Sequence, residues 1–496
     1  MNLSKYKSQN LTTRLLGGGS IILLLSILSA PLGYLLRILF SRNLSVGEYG
    51  LFYSVLALFS FAASYNDLGF GYSVAYLLPK FKQKKQWQKL WNTYAYDQII
   101  EVGTSVLISL LLIFTARFLS LNYFHEPAAK TLILIFTFYF VANSFVSALQ
   151  KLFTGLQLPQ FYSSMEPVRL LLTLSLSFLV ILFEWGNLIT FALTWAGAYV
   201  LVGIIYQLIL QFQLNQLVKP ITWDKKLFNQ MLHYAVPTLM TSTVYILMRS
   251  TDTFFLTLIH GVESVGIYNI AVPLASMPMI LLSPLQLLIL PLISQLMETS
   301  QTKVTKLIEL MLKAIPLIGL YFGVFMFSFP AASIGLLFGN KWISAASTPL
   351  MIISLGFTFN ILSEFLATVT NGLGAVKLRL KAASLITTLN LITSFLGSYF
   401  FGVTGVVISN VLIYGLSVIL FLLIIRKYLL IRLPLKFYIQ LLSLFAALAA
   451  VLALLNLAAN TWTEFISFGI IYSFVVAVGT GLLFWNELKQ VAKLFG

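Results

Sequence analysis

Long apolar runs separated by short polar breaks fill this chain almost from end to end. About 20 apolar residues, at ~1.5 Å each, cover the hydrocarbon thickness of a bilayer. The runs fall near residues 15–40, 48–78, 90–118, 130–150, 160–183, 188–212, 233–258, 265–293, 305–330, 345–371, 379–401, 404–425, 435–457 and 463–485. They predict about fourteen transmembrane helices. Barrel strands would be about ten residues long and alternate in polarity, whereas these runs are continuous. The fold class is therefore an all-α integral membrane protein. A Gly-containing stretch at residues 331–343 is expected to dip into the outer interface. No polar connection is long enough to hold a separate soluble domain.

Composition sharpens this picture. Of 496 residues, 59% are hydrophobic and 9% charged, with a mean hydropathy of +0.92. Soluble domains hold about 45–50% apolar and about 25% charged residues, so a water-soluble globule is excluded, and so is a disordered chain. The net charge is +16. Cytoplasmic loops of membrane proteins collect Lys and Arg, which accounts for it without nucleic acid as a partner. With the N-terminus inside, about 24 of the basic residues lie in inside segments and about 4 outside. The run Lys80, Lys82, Lys84, Lys85, Lys89 and the single Lys151 are among the inside ones. Both termini are thereby expected in the cytoplasm. No A-x-A-like cleavage site follows the first apolar run, so no removable signal peptide is expected.

The chain contains no cysteine, and its three histidines are scattered. HExxH, GxSxG and GxxxxGK[ST] motifs do not occur. No metal site, cofactor or catalytic residue is expected, and the protein is not expected to be an enzyme.

An internal repeat organises the spans. Ser45-Val46-Gly47-Glu48-Tyr49 after the first span returns as Ser264-Val265-Gly266-Ile267-Tyr268 after the seventh, at an offset of 219. Thr154-Gly155-Leu156 after the fourth returns as Asn371-Gly372-Leu373 after the tenth, at an offset of 217. A unit of six helices keeps both copies in the same orientation, related by an axis along the membrane normal. The expected division is residues 1–217 for an N-lobe, 218–430 for a C-lobe, and 431–496 for two further helices and a short tail.

The order of short motifs resembles a known family. Arg37-Ile-Leu-Phe-Ser-Arg42-Asn-Leu-Ser-Val-Gly47-Glu48-Tyr49-Gly50 follows the first span, and Asp67-Leu-Gly69-Phe-Gly71 lies in the second. Phe153-Thr-Gly155-Leu-Gln157, Tyr234-Ala-Val-Pro237, Leu336-Leu-Phe-Gly339 and Asn371-Gly372-Leu-Gly374 continue the match. In order and spacing these resemble the Wzx-type polysaccharide flippases of the MOP superfamily, related to MATE antiporters and to the lipid II flippase MurJ. The arginines expected of MurJ in helices 1, 2 and 8 are not found; here they lie in helices 1, 5 and 7.

The resemblance implies two six-helix lobes around a central cavity. It also implies an undecaprenyl-pyrophosphate-linked oligosaccharide as substrate, flipped across the cytoplasmic membrane by alternating access. The implied partners are that lipid-linked oligosaccharide, the bilayer, polymerase and chain-length proteins of the same pathway, and a proton or sodium ion for coupling. A MATE-type drug antiporter and a membrane glycosyltransferase or O-antigen polymerase are the alternatives. The first favours unpaired carboxylates and few arginines. The second needs a long external loop with catalytic acids, and the connection near 118–130 offers only His125 and Glu126.

A charge at bilayer depth costs a few kcal/mol on insertion scales, so each one needs a reason. Arg169 lies near mid-depth in the fifth span with Glu166 one turn before it; Arg249 and Asp252 repeat this spacing in the seventh. Each pair is either a phosphate-holding arginine with its balancing carboxylate or a structural ion pair. Arg37, a turn from the end of its span, is a further phosphate candidate or snorkels to the interface. Asp67, beside Gly69 and Gly71, marks a helix break or an outer-end cap. Glu364, well inside the tenth span, is a candidate ion carrier if buried. Asp97 and Glu101 share a helix face and are expected to pair with the basic run at 80–89. The tyrosines that stack on sugar rings are not distinguishable in the sequence.

Overall fold

The computed structural model describes the backbone of residues 11–213, 215, 218–454 and 461–495. It describes their side chains except at 11–20, 213, 237, 240–250, 280–288, 291 and 482–495. Among the described residues there are seventeen α-helices and no strand. The first part of the chain forms α1 Leu11–Asn43, α2 Val46–Ala63, α3 Phe70–Gln83, α4 Trp87–Asn122, α5 Ala128–Gly155, α6 Pro159–Tyr162, α7 Met165–Leu182, α8 Leu188–Gln213 and α9 Lys225–His260. The second forms α10 Val262–Ala275, α11 Met279–Thr299, α12 Gln301–Ser328, α13 Pro330–Phe338, α14 Ile343–Gly372, α15 Val376–Ile425, α16 Leu435–Leu454 and α17 Trp462–Phe495. Eleven of the described helical segments are long and apolar enough to cross a membrane. Helices suit such runs because every backbone group is paired within its own segment.

Two predicted spans are not single helices. The run 48–78 divides into α2 and α3, with Leu68 and Gly69 at φ 48° and 80°. The run 265–293 divides into α10 and α11. The two spans predicted at 379–401 and 404–425 form one element, α15, which turns at Gly402 (φ 59°, ψ −137°). At that corner Gly397 approaches Gly405 so closely that a Cβ would lie 2.6 Å from its carbonyl oxygen. The stretch 331–343 is α13 followed by a 3-10 turn at Asn340–Trp342.

Chain contacts define two units, Met1–Glu263 and Ser264–Gly496. In the first, α5 is the central helix, packing against α2, α3, α4, α6 and α8. In the second, α14 holds that position among α11, α12, α13 and α15. The two hubs are the fourth span of each repeat, and the repeated glycine motifs end them. A Cβ on Gly155 would lie 2.6 Å from the Leu78 side chain of α3; one on Gly372 would lie 2.6 Å from Ile293 of α11. The left-handed residues that follow, Gln157 (φ 54°) and Gly374 (φ 73°), also correspond. The repeat is therefore a close helix crossing with a common chain reversal after it. Without a hydrophobic drive between helices in lipid, such small-residue contacts hold helices together.

Helix α9, which the repeat places at the head of the second lobe, packs on α2, α3 and α4 of the first unit. The segment leading into it is tied to α4: Asn92 Nδ2 and Tyr96 Oη both donate to the Thr222 carbonyl, at 2.9 and 2.6 Å. In the second unit α16 and α17 pack on α12, where Tyr472 Oη donates to Tyr321 O (2.8 Å) and Tyr438 Oη to Leu312 O (2.9 Å).

Candidate functional site

The charged chemistry described in the first unit converges on α5. Lys151, placed in a loop by the hydropathy pattern, lies inside that helix. Its Nζ is 2.8 Å from Glu101 and 3.4 Å from both Asp97 and Asp67. Asp97 and Glu101 stand one turn apart on α4, and both are buried. Their partner is thus Lys151 and not the basic run at 80–89. A carboxylate can leave water only with its charge answered, and a lysine stem is long enough to carry an ammonium to two neighbouring helices. The run 80–89 supplies a different contact, from Lys82 Nζ to the Leu156 carbonyl.

Asp67 joins this network from the break between α2 and α3. Its Oδ1 accepts from the Gly69 amide at 2.8 Å, while Oδ2 faces Lys151. The preceding Asn66 donates from Nδ2 to Ser144 on α5 (2.6 Å), and its carbonyl accepts from Thr104 on α4. The glycines of the motif make room for this. A Cβ on Gly71 would stand 2.6 Å from Asp67 Oδ2 and 3.1 Å from Lys151 Nζ. Gly69 is left-handed and lies against α9, where a Cβ would come within 3.1 Å of the Ala235 carbonyl carbon. Asp67-Leu-Gly69-Phe-Gly71 is therefore a clamped helix break with an ion-pair network behind it.

A second charged group faces the same helix from α7. Arg169 forms a two-pronged pair with Glu166: Nε to Oε2 at 2.9 Å and Nη2 to Oε1 at 2.5 Å. The guanidinium carbon lies 4.9 Å from the Trp195 ring and 5.0 Å from the Tyr199 ring of α8. Two aromatic faces hold the cation by their quadrupoles and fix its plane. Its Nη1 is buried and has no hydrogen-bond partner among the described residues. Arg169, Glu166 and Tyr199 line a cleft of about 190 Å³ with Asn143, Ser147 and Gln150 of α5. Arg169 is buried, whereas the Glu166 side chain is 51% exposed, so the carboxylate is the movable half of the pair.

The remaining predicted residues are placed as follows. Arg37 does not snorkel away from the protein; its guanidinium sits 4.9 Å over the Tyr53 ring of α2. Asp252 is half-buried on α9, and the Arg249 side chain lies outside the described residues. Glu364 is exposed on α14. The residue that sequence reasoning missed is Lys151. Its signal was available: a lone lysine flanked by Leu149, Leu152 and Phe153, with no second basic residue beside it.

Comparison with known proteins places this architecture. The family model described as "Polysaccharide biosynthesis protein" matches residues 15–297. A membrane protein of Methanocaldococcus jannaschii is 24% identical over 407 residues, covering 78% of this chain and 79% of its own. Among solved structures, the lipid II flippase MurJ in an inward closed conformation superposes with a TM-score of 0.75 at 14% identity, covering 94% of this chain and 99% of its own. An inward-facing MATE-family multidrug transporter of the MOP superfamily gives 0.65 at 14% identity, over 82% and 97%. The fold is thus the one those transporters share. From the family match over more than half its length, the chain belongs to the polysaccharide biosynthesis protein family of multi-pass membrane proteins.

Proposed function

We propose that this protein is a flippase that moves a polyprenyl-pyrophosphate-linked oligosaccharide across a bacterial cytoplasmic membrane for cell-surface polysaccharide assembly, by alternating access. The observation that carries the proposal is Arg169 Nη1, a buried donor without a partner among the described residues, at the wall of a polar cleft. A buried unsatisfied donor costs about 1–3 kcal/mol. A pyrophosphate oxygen arriving in the cleft removes that cost, and a planar guanidinium takes two such oxygens at once. Glu166 balances the charge while the cleft is empty.

Asp67, Asp97, Glu101 and Glu166 are all engaged by Lys151 or Arg169, which suits an anionic guest better than a drug cation. Arg37 and Arg249 are further phosphate contacts in this reading. Asp252 balances charge, and Asp67 and Glu364 are the groups for proton or sodium coupling. A headgroup of charge about −2 moving outward gains about 2.3 kcal/mol per charge per 100 mV of inside-negative potential. No bond is made or broken. In this reading the bias of basic residues sets both termini in the cytoplasm, and the polymerase and chain-length proteins are downstream partners.

Proteoliposomes carrying a fluorescent polyprenyl-diphosphate oligosaccharide test this. Protein should make the inner-leaflet saccharide accessible to an external quencher, faster under a potential that drives anions toward the quencher side. Exchange that is no faster than in protein-free vesicles would refute the proposal.

A further inference from the structure

The exposed surfaces of the first unit are of two kinds. On α4, α7 and α8 the exposed large side chains are mostly hydrocarbon, among them Leu107, Phe114, Leu171, Phe178, Leu193 and Ile204. That is the surface lipid requires. On α3 the exposed positions are Tyr72, Ala75, Tyr76, Lys80 and Gln83, successive turns of one face with no large aliphatic residue. Tyr72 is 63% and Tyr76 45% exposed. Lys80 Nζ lies 3.6 Å from the Tyr76 ring centroid, and the ring centroid of Tyr234 on α9 is 4.9 Å from it. On α9, Gln230 and His233 are exposed, together with Leu232 and Val236.

An interfacial belt of tyrosine and lysine lies at headgroup level. This strip runs eight residues along α3 from Lys80, about 12 Å, which carries Tyr72 well past that level. The Tyr72 hydroxyl, turned toward hydrocarbon at that depth, would lack a partner, at a cost of several kcal/mol. The face therefore borders water. It is also rigid: Ser73 Oγ donates to the Met231 carbonyl at 2.7 Å, and Gly69 lets the two backbones meet.

We propose that this α3–α9 face, Tyr72, Tyr76 and Tyr234 with Lys80 at one end, is the stacking surface for the saccharide of the lipid-linked substrate. It rests on the flippase reading and assigns the part of the substrate that reading leaves open. A pyranose presents C–H faces edged by hydroxyls. An exposed tyrosine answers both, with a π face for the ring and a hydroxyl for the edge. Rings one helical turn apart, about 5.4 Å, meet successive sugar residues, and Gln230 and His233 supply side-on hydrogen bonds. The Lys80 ammonium is a point charge suited to the phosphate end.

The natural absence of cysteine makes single-cysteine accessibility the first test. In membrane vesicles of both orientations, Tyr72→Cys and Tyr76→Cys should react with an impermeant thiol reagent, and Leu193→Cys should not. A Tyr72→Cys as silent as Leu193→Cys overturns the proposal. The second test titrates full-length protein in nanodiscs with polyprenyl diphosphate and with the saccharide-bearing form extracted from the cells of origin. The double variant Tyr72→Ala, Tyr76→Ala should lose about tenfold in affinity for the saccharide-bearing lipid and nothing for the bare diphosphate. The double Tyr→Phe variant keeps both rings and should bind the saccharide form far better than the alanine pair. Equal loss on both lipids, or no loss on either, overturns the stacking assignment and leaves the flippase reading standing. Wild-type protein that binds neither lipid overturns both.

Discussion

Replacing Lys151 by methionine keeps the stem and removes the cation that, among the described residues, answers three carboxylates. Asp97 is fully buried, the Glu101 side chain is 3% exposed and that of Lys151 20%. Leaving a buried partner unpaired costs about 3–5 kcal/mol. The Asp67 contact, 27% exposed at its side chain, adds little because water screens it. At about 2–4 °C per kcal/mol for a unit of this size, the melting temperature should fall by roughly 10 °C. The compensated variant Lys151→Met, Asp97→Asn, Glu101→Gln removes the charges together and should recover more than half of that loss. Thermal melts of detergent-solubilised full-length protein, followed by size-exclusion of the surviving monodisperse peak, read both variants. A single variant within about 2 °C of wild type, or a triple variant as unstable as the single, would refute the reasoning. The first result would mean that the cluster carries no net stabilisation, the second that Lys151 acts by something other than charge.

Three further outcomes follow from other parts of the molecule. Arg169→Gln with Glu166→Gln removes an ion pair together, so membrane levels should stay normal while polymer export fails; wild-type export would reduce the pair to a structural role. Gly155→Ala and Gly372→Ala each insert a methyl into the repeated helix crossing and should destabilise by about 1–3 kcal/mol, read as loss of folded protein on mild heating; silence at both would mean the crossings relax freely. Single cysteines at Gly186 and Asn122 should react with an impermeant thiol reagent from outside and one at Gln83 only from inside, the reverse pattern being fatal to the orientation.

Much of the fold was legible along the chain because a bilayer imposes a local rule: any segment that crosses must be apolar for about 20 residues and pair its own backbone. That rule depends on no other segment, so the helices, their approximate ends and the class of protein follow from the pattern alone. The repeat was legible for a similar reason. Gly155 and Gly372 have no side chain because Leu78 and Ile293 occupy that space, and such a constraint leaves the same small residue in both copies. The Arg169–Glu166 pair, three residues apart on one helix, was within reach of helical periodicity.

Tertiary structure decided which distant charges meet. Lys151, Asp67, Asp97 and Glu101 come from two helices, α4 and α5, and the break between α2 and α3, separated by as much as 84 residues in sequence. Their attraction depends on distances that no single-helix periodicity contains. The aromatic clamp of Trp195 and Tyr199 on Arg169, the exposure of Glu364 and the polar face of α3 depend likewise on which side of a helix a neighbour covers. Hydropathy sums a segment over all its faces. Burial and charge pairing act on one face at a time, and packing alone selects that face.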